Sequence, residues 1–242
     1  MNAFKRKTAT LFKVAVAAIT VVATVGNARA QPADWPSKPI KLLVAYSAGG
    51  GGDQVARLLG DYLSRELKQA VVVENRPGAS GMIGGQACKQ SAPDGQTFCV
   101  FLMDVVTTNP SLFKNVPYKP DVDFVPVAFL AEVSSVIPVS AKTSIRSMSD
   151  LVKEWRANPK DVQWGSWGIG SSAHLVLSYI NKSTGADILH VPYVSTPPLL
   201  QAVIKGEVTS TLGITSLLNQ HFDQGDCSSH RCSGRQAAEE PA

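Results

Sequence analysis

Two glycine-rich loops carry the residues whose types and spacing are suited to chemistry. Residues 46–53 read YSAGGGGD and residues 165–174 read GSWGIGSSAH, and each loop joins a strand pattern to a helix pattern. Such a turn exposes unpaired N–H groups and the positive end of the helix dipole, which suits a carboxylate or a phosphate. We expect the two loops to face each other across a cleft. For the first loop, the alternative is a tight turn that needs positive φ angles and binds nothing.

Nucleotide-binding fingerprints do not fit the first loop. A G-x-G-x-x-G pattern fails because Gln54 stands at the third glycine position, and no Gly-Lys-Ser/Thr closes a P-loop. Asp53 is predicted to be the N-cap of the following helix.

The second loop leaves a catalytic alternative open. Residues 170–174 resemble a nucleophile elbow, although His174 stands where a glycine belongs. The alternative function is an exported hydrolase that acts on an acidic substrate through Ser171, Ser172 and His174. His190 is interpreted as a core histidine. Neither the histidine spacing nor the cysteine spacing matches a metal site, so no metal and no cofactor are expected.

The first thirty residues have the layout of a secretory signal peptide. A basic start precedes an apolar stretch over 14–25 and an Ala-Arg-Ala ending at Ala30, after which cleavage is expected. The stretch is shorter than the roughly 20 residues of a membrane span, so an uncleaved anchor is the weaker alternative. This leader holds five of the 23 Lys and Arg residues and none of the 19 acids, which leaves the rest near −1. The charge therefore gives no reason to expect nucleic acid binding.

Strand and helix patterns alternate along the chain in two units. The first unit has strands near 40–46, 70–74 and 97–102 with helices near 54–68 and 81–90 between them, which is typical of a parallel α/β sheet. A long extended stretch over 126–139 leads to a second unit of similar rhythm, whose first helix Ser149 is predicted to cap. We place lobe I at 31–130 and lobe II at 131–225.

Two further features concern the cysteines and the tail. Cys88 and Cys99 fall at the end of a predicted helix and in the next strand, so they form either a disulfide or two small buried thiols. The tail from 226 to 242 has no large apolar residue in its sequence and is expected to be disordered.

Several segments together resemble the Bug-type (TctC-like) periplasmic solute-binding proteins of tripartite tricarboxylate transporters. The matching runs, in order from residue 35 to about 225, are WPSKPIKLLV, the first loop, VVVENRPGASGMIGG, APDGQTF, NPSLFKNVPYKPDVDFVPV, GSSAH and HVPY. The resemblance implies an α/β type II periplasmic-binding-protein fold, with two lobes joined by hinge strands. It also implies a monomeric, non-catalytic periplasmic protein that delivers a small carboxylate solute to membrane transporter subunits.

The resemblance also implies a set of ligand-binding residues. In this chain they are Tyr46, Ser47, Ala48, Gly49, Gly50, Asn109, Ser166, Gly170, Ser171, Ser172, His174, Tyr193 and Ser195. Asp104 is added because it stands where the family carries small residues. If Asp104 lines the cleft, it opposes a second carboxylate or pairs with a ligand amino group, so replacing it by alanine is expected to change that preference.

The end of the chain departs from the family pattern. The expected continuation after SLLNQHFDQG, a strand and roughly 80 residues that complete lobe I, is absent, and a frameshift or truncation is favoured over a natural short form. We therefore expect an incomplete first lobe with an unpaired strand edge, exposed apolar surface and low solubility or partial folding.

Overall fold

The computed structural model describes residues 35–223 and 227–231. The chain divides into an N-terminal unit, Met1–Ser37, and a larger unit, Lys38–Ala242, which contains every strand and helix given below. The predicted signal peptide lies outside the described residues. The larger unit has two sheets with their helices, which agrees with the α/β two-lobe fold expected from the sequence.

Lobe I contains a three-stranded parallel sheet of order β2-β1-β3, in which β1 pairs with both neighbours. Its strands are β1 Ile40–Val44, β2 Val71–Asn75 and β3 Thr97–Val100. Its helices are α1 Gly51–Leu67, α2 Met82–Lys89, α3 Asn109–Leu112 and α4 Pro120–Asp123. A 3₁₀ turn, Ala79–Gly81, precedes α2, and a π-helical turn, Asp104–Thr108, precedes α3.

Helix α1 forms because its buried positions recur at helical spacing and fit the sheet. Ala56 and Gly60 are buried, and Gly60 lies over Leu42 and Val71 with ordinary contact distances available to a Cβ. The alternating crossovers place the carboxyl ends of β1, β2 and β3 at one edge of the sheet. The loops that follow these ends are therefore brought together.

Lobe II contains a mixed sheet of order β6-β5-β7-β4-β8, and β9 also pairs with β4. Its strands are β4 Ser135–Ser140, β5 Trp164–Ser166, β6 His190–Pro192, β7 Ser210–Thr211, β8 Gly213–Ile214 and β9 Cys227–Arg231. Its helices are α5 Met148–Ala157, α6 Ser172–Thr184, α7 Thr196–Lys205 and α8 Thr215–Asp223.

The core of lobe II is built around two tryptophans. Trp155 and Trp164 are almost completely buried, with ring centroids 6.0 Å apart. The indole N–H of Trp164 donates to the carbonyl of Ala173 at 2.9 Å, which ties β5 to the start of α6. The predicted cap of α5 was wrong: Ser147 accepts the N–H of Asp150 because the helix begins one residue before Ser149.

Part of the tail is a strand, which differs from the disorder expected from residue 226 onward. Cys227–Arg231 runs antiparallel to β4, with His230 opposite Ile137. Strand pairing uses backbone N–H and C=O groups, so β4 can also pair with a segment that has no large apolar side chains. Residues 232–242 lie outside the described residues.

An extended segment, residues 124–134, connects the two lobes. The long extended stretch expected over 126–139 is therefore irregular at first and becomes strand β4 at Ser135. Val125 and Phe129 in this segment are 86% and 82% exposed. The boundary placed near residue 131 falls in this segment and remains a prediction, as do the truncation and its effect on stability.

A disulfide joins Cys88 and Cys99, with their Cα atoms 6.1 Å apart. It connects the end of α2 to β3. Of the two possibilities that the sequence left open, a disulfide or two buried thiols, the structure has the disulfide. In the described part of the chain, no helix combines the length and apolar character that a membrane crossing requires.

Gly84 lets α2 pack against the end of β1, because a Cβ there would collide with the Cα of Ala45. We expect Gly84→Ala to lower the free energy of unfolding by about 1–3 kcal/mol through overpacking. Gly60→Ala is the matched control, since its Cβ meets ordinary contacts and alanine favours the helix by about 1 kcal/mol. Urea denaturation of the three proteins measures both effects, and an unchanged midpoint for Gly84→Ala would contradict the packing described.

Removing the disulfide is expected to destabilise lobe I. The double variant Cys88→Ala/Cys99→Ala should lose about 2–4 kcal/mol, because the unfolded chain regains its loop entropy. Thermal denaturation with and without dithiothreitol supplies the control. The reductant should lower the midpoint of the wild type and leave that of the double variant unchanged; equal responses of the two proteins would show that the bridge is not formed.

Candidate functional site

A cavity of about 410 Å³ lies where the loops after the strands of both lobes meet. In open α/β sheets, ligands bind outside the carboxyl ends of the strands, which is where this cavity lies. Among the described residues that line it, none carries a charged side chain. They are residues 45–47, 50–52, 77–82, 167–169 and 192–196, with Leu102, Phe113 and Ile214.

The β1–α1 loop presents the N-terminus of α1 to this cavity. Helix α1 is 17 residues long, and its N-cap, Gly50, makes no side-chain capping bond. The N–H groups of Gly51, Gly52 and Asp53 have no acceptor within the helix, because the first intrahelical bond runs from Gln54 to Gly50 at 3.0 Å. Gly51 and Gly52 line the cavity, so donors and the positive helix end face it.

Asp53 is not the N-cap that the sequence predicted. The four glycines start the helix three residues earlier, so Asp53 lies in its first turn, where it is buried. Its carboxylate accepts the Gly49 N–H, the Arg57 Nε–H and the Asn75 amide, each at 2.9 Å. Burial opposes ionisation, but these hydrogen bonds outweigh it and hold the pKa of Asp53 below its ordinary value.

Asn75 joins this network to the loop backbone. Its amide also donates to the carbonyl of Tyr46 at 2.9 Å, at the end of β1. Asp53 does not line the cavity. Its carboxylate is therefore paired with Arg57 and Asn75 outside the cavity. It stabilises the loop there and does not face an anion bound in the cavity.

Residues 77–82 line the cavity but were absent from the site predicted from the sequence. Four successive residues here have positive φ angles, from Gly78 at 124° through Ala79 at 48° and Ser80 at 53° to Gly81 at 84°. Backbone strain of this kind at non-glycine residues is found preferentially at functional sites. The PGASG sequence signals a turn, but the conformation of Ala79 and Ser80 follows from their surroundings.

Ser80 links the two lobes. Its hydroxyl donates to the carbonyl of Ile169 in lobe II at 2.5 Å, and its own carbonyl accepts the amide of Asn109 at 2.9 Å. Asn109 is fully buried and also contacts the hydroxyl of Tyr118. Asn109 therefore supports Ser80 from behind and does not line the cavity.

The serines of the second loop hold the loop itself. The Ser166 hydroxyl accepts the Gly168 N–H at 3.1 Å and lies 2.7 Å from Nε2 of His190. The Ser171 hydroxyl donates to the Gly168 carbonyl at 2.7 Å and caps α6 through the His174 N–H at 3.4 Å. Both serines are completely buried, so their hydroxyls shape the loop and do not face the cavity.

Glycine is required in this loop because lobe I approaches closely. Gly168 and Gly170 have φ angles of 124° and 88°. A Cβ on Gly168 would lie 2.8 Å from the Ser80 hydroxyl, and one on Gly170 would lie 2.9 Å from the Phe113 ring. The loop therefore closes against lobe I at these two points.

The geometry does not support the hydrolase alternative. Nδ1 of His174 accepts the Gly170 N–H at 3.2 Å, and the hydroxyl of Ser171 bonds to backbone groups, so the pair required for nucleophilic attack is not formed. The rings of His174 and His190 lie 4.7 Å apart. Burial lowers the pKa of His190 below its ordinary value, and the neighbouring His174 lowers it further. Within the described residues, no group of three His, Cys, Asp or Glu side chains could hold a metal ion.

Asp104 was predicted to line the cleft, but it lies buried beside the cavity, with 4% of its surface exposed. Asp104 Oδ2 has no hydrogen-bond partner, and neither has the buried Tyr46 Oη or the buried Trp167 Nε1. Burial raises the pKa of Asp104. Burial, together with this carboxyl, raises the pKa of Tyr46 far above its ordinary value.

The structure brings some of the predicted site residues to the cavity and leaves others behind it. Those that line it are Tyr46, Ser47, Gly50, Tyr193 and Ser195. Those that do not are Ala48, Gly49, Asp104, Asn109, Ser166, Gly170, Ser171, Ser172 and His174. The first loop therefore reaches the cavity through three of its predicted residues, whereas the second reaches it through residues 167–169.

Known proteins resemble the chain in sequence and in fold. Residues 55–237 match the family described as the tripartite tricarboxylate transporter family receptor, TctC. Protein BugT of Bordetella pertussis is 33% identical over 207 residues, which cover 85% of this chain and 64% of BugT.

Two solved structures share the fold over 81% of this chain and 66% of their own. The R. palustris protein Rpa4515, solved with adipate, is 30% identical with a TM-score of 0.78. MatC of Rhodopseudomonas palustris, solved with bound malate, is 26% identical with a TM-score of 0.74. The chain thus spans about two thirds or less of the relatives it matches. The family match covers most of the chain and agrees with the two-lobe fold, so this protein belongs to the TctC family of tripartite tricarboxylate transporter receptors.

Proposed function

We propose that this chain binds a small carboxylated solute in the cavity, with a solute carboxylate at the N-terminus of α1. The observation that carries this proposal is the free N–H groups of Gly51 and Gly52 at the wall of a cavity without charged lining residues. A helix N-terminus stabilises an anion through its donors and its dipole. A carboxylate there would be the acceptor that these groups lack.

The chemistry of the lining favours a carboxylate on a small organic body. Leu102, Phe113, Trp167 and Ile169 supply apolar surface, while the hydroxyls of Ser47, Tyr193 and Ser195 supply polar contacts. Ligand sites typically combine mostly apolar walls with a few placed polar groups. Relatives solved with adipate and with malate support the same ligand class.

The biological role follows from the family. In this proposal, the chain acts as a monomer, is exported with cleavage after Ala30 and delivers its solute to membrane transporter subunits from the periplasm. The Cys88–Cys99 disulfide supports an oxidising compartment. No catalytic step is involved, since the family and its solved relatives are solute-binding proteins.

The predicted ligand residues divide into two roles under this proposal. Tyr46, Ser47, Gly50, Tyr193 and Ser195 contact the solute, because they line the cavity. The predicted residues behind the cavity keep the loops in shape. Ser80, which the sequence did not indicate, closes the lobes over the solute through its bond to Ile169.

A thermal-shift screen of the full chain tests ligand binding directly. Hexanoate, benzoate, adipate and malate are the probes, and hexanamide is the uncharged control. At least one acid should raise the melting temperature in proportion to the logarithm of its concentration, because ligand bound only to the folded state stabilises it. If hexanamide is as effective as every acid, or if no acid shifts the transition, the proposal fails.

Replacing Gly51 tests the position of the carboxylate. Proline is tolerated at the first position of a helix, and the extended Gly50 before it is compatible, so Gly51→Pro removes one N–H and keeps α1. Loss of one charge-assisted hydrogen bond should weaken acid binding by about 10–100-fold in calorimetric titration.

Gly51→Ala is the matched control. Its Cβ, like that of proline, would overlap Cδ1 of Ile214, so the flexible end of that side chain must shift in both variants, but the N–H remains in Gly51→Ala. Its affinity should stay close to that of the wild type. Equal losses in the two variants would show that the added carbon, and not the missing donor, is responsible.

A further inference from the structure

One peptide group of the second loop makes hydrogen bonds to both lobes. Its carbonyl, that of Ile169, accepts the hydroxyl of Ser80 in lobe I at 2.5 Å. Its N–H, that of Gly170, donates to Nδ1 of His174 in lobe II at 3.2 Å. The carbonyl and the N–H of a planar trans peptide point in opposite directions, so a bond that holds the N–H also fixes the carbonyl. His174 therefore orients the carbonyl that Ser80 binds.

The direction of this peptide depends on its hydrogen bonds, because its two residues do not lock it by packing. Gly170 has a φ angle of 88° and no side chain, so the backbone can rotate there at little cost. The side chain of Ile169 is 55% exposed. Ile169 and Gly168 line the cavity, so a change in the direction of the peptide changes the cavity wall as well as the bond between the lobes.

The bond from Gly170 requires a neutral ring at His174. Nδ1 accepts an N–H only while it carries no proton, whereas both ring nitrogens of an imidazolium are donors. Protonation at Nδ1 would place two N–H groups against each other in a contact that is now 3.2 Å long. The Gly170 N–H would lose its acceptor, and the peptide would lose the contact that orients it.

Two features around the ring oppose a positive charge. His174 is the third residue of α6, a helix of 13 residues, so it stands in the first turn, at the positive end of the helix dipole. The ring of His190, on β6, lies 4.7 Å away. Burial lowers the pKa of His190, and His174 lowers it further. A proton on one ring therefore disfavours a proton on the other.

In the described part of the chain, no carboxylate offsets a charge on these rings. The first turn of α6 contains no acid. The lobe I side chains that approach this loop, Leu112 and Phe113, are apolar. None of the ion pairs includes a histidine, so neither Asp104 nor another acid pairs with either ring. The hydroxyl of Ser166, 2.7 Å from Nε2 of His190, carries no charge.

We infer that His174 is a proton-sensitive positioning residue: its neutral ring holds the 169–170 peptide in the direction that binds Ser80, and protonation releases this peptide and weakens solute binding. The inference rests on the proposed function, since the solute is bound in the cavity that this loop lines. Histidine is the side chain that ordinarily changes its charge between pH 5 and 8. The protein is therefore expected to hold its solute less tightly in mildly acidic surroundings than in neutral ones.

Calorimetric titration at pH 7.5 and pH 5.5, with the four acids of the thermal-shift screen, tests the inference. His174→Asn keeps an oxygen acceptor near the position of Nδ1 and does not ionise. Between the two pH values, the affinity of the wild type should fall about three- to tenfold more than that of His174→Asn. Tenfold is the limit for one proton, because pH 5.5 lies about one unit below the ordinary value for histidine. Ionisation of the solute is the same for both proteins and cancels in the comparison.

His190→Gln is the matched control. Its amide keeps a hydrogen-bonding group for Ser166 and removes the second ring. Because His174 remains, this variant should keep the pH response of the wild type.

The outcomes separate this inference from the function on which it rests. Equal pH responses of the wild type and His174→Asn, or a response lost in His190→Gln but kept in His174→Asn, would overturn the inference and leave carboxylate binding intact. If none of the acids binds the wild type at pH 7.5, the proposed function falls, and the inference falls with it.

An NMR titration of the wild type tests the same coupling without a substitution. In ¹⁵N-labelled protein, the Gly170 amide resonance should move between pH 7.5 and pH 5.5 together with the ring protons of His174, while that of Gly84, in α2 of lobe I, stays in place. A saturating acid should move this transition to lower pH, because the solute favours the state with the neutral ring. A Gly170 resonance that does not follow the His174 ring would overturn the inference, whether or not the acids bind.

Discussion

The backbone N–H groups at the start of helix α1 have no acceptors inside the helix, and the site is arranged around them. Every α-helix begins with such groups, and a buried helix end without acceptors is costly. In this protein, the glycines at 49–52 bring the helix end to the cavity wall without side chains in the way. A solute carboxylate would complete the hydrogen bonding that the chain leaves open.

The acids near the cleft are placed so that this position stays available. Asp53 is turned toward Arg57 and Asn75, where it fixes the loop from outside the cavity. Asp104 is buried and does not line the cavity. An anion in the cavity therefore meets the open end of α1 with neither carboxylate in the lining. The contacts of Ser80 and Gly168 between the lobes allow both ends to face a single small volume.

The fold could be predicted further than the site. The alternation of apolar strands with amphipathic helices predicted the parallel sheet of lobe I and its element order, because the spacing of apolar residues reflects which positions are buried. The start of α1 was misplaced by three residues, since glycines carry little helix signal and Asp53 resembles a cap. Strand β9 was not predicted, because its pairing with β4 uses backbone groups and its residue types do not indicate a strand.

Side-chain direction explains most of the remaining errors at the site. A serine in a loop can point into a cleft or back to its own backbone, and the sequence does not distinguish these; Ser166 and Ser171 point back. The positive φ angles of Ala79 and Ser80 are imposed by packing and hydrogen bonds, including the bond from Asn109. Asp104 was noticed because its charge is unexpected, but its burial is set by tertiary packing, which the sequence does not show.

Backbone amide shifts on binding an acid would report on the open helix end directly. In ¹⁵N-labelled protein, hexanoate should move the amide resonances of Gly51 and Gly52 strongly downfield in proton shift, because a carboxylate becomes their acceptor, while hexanamide should move them little. The resonance of Ser172, which does not line the cavity, should change far less. If hexanoate binds with Gly51 and Gly52 unmoved, the carboxylate does not lie at α1.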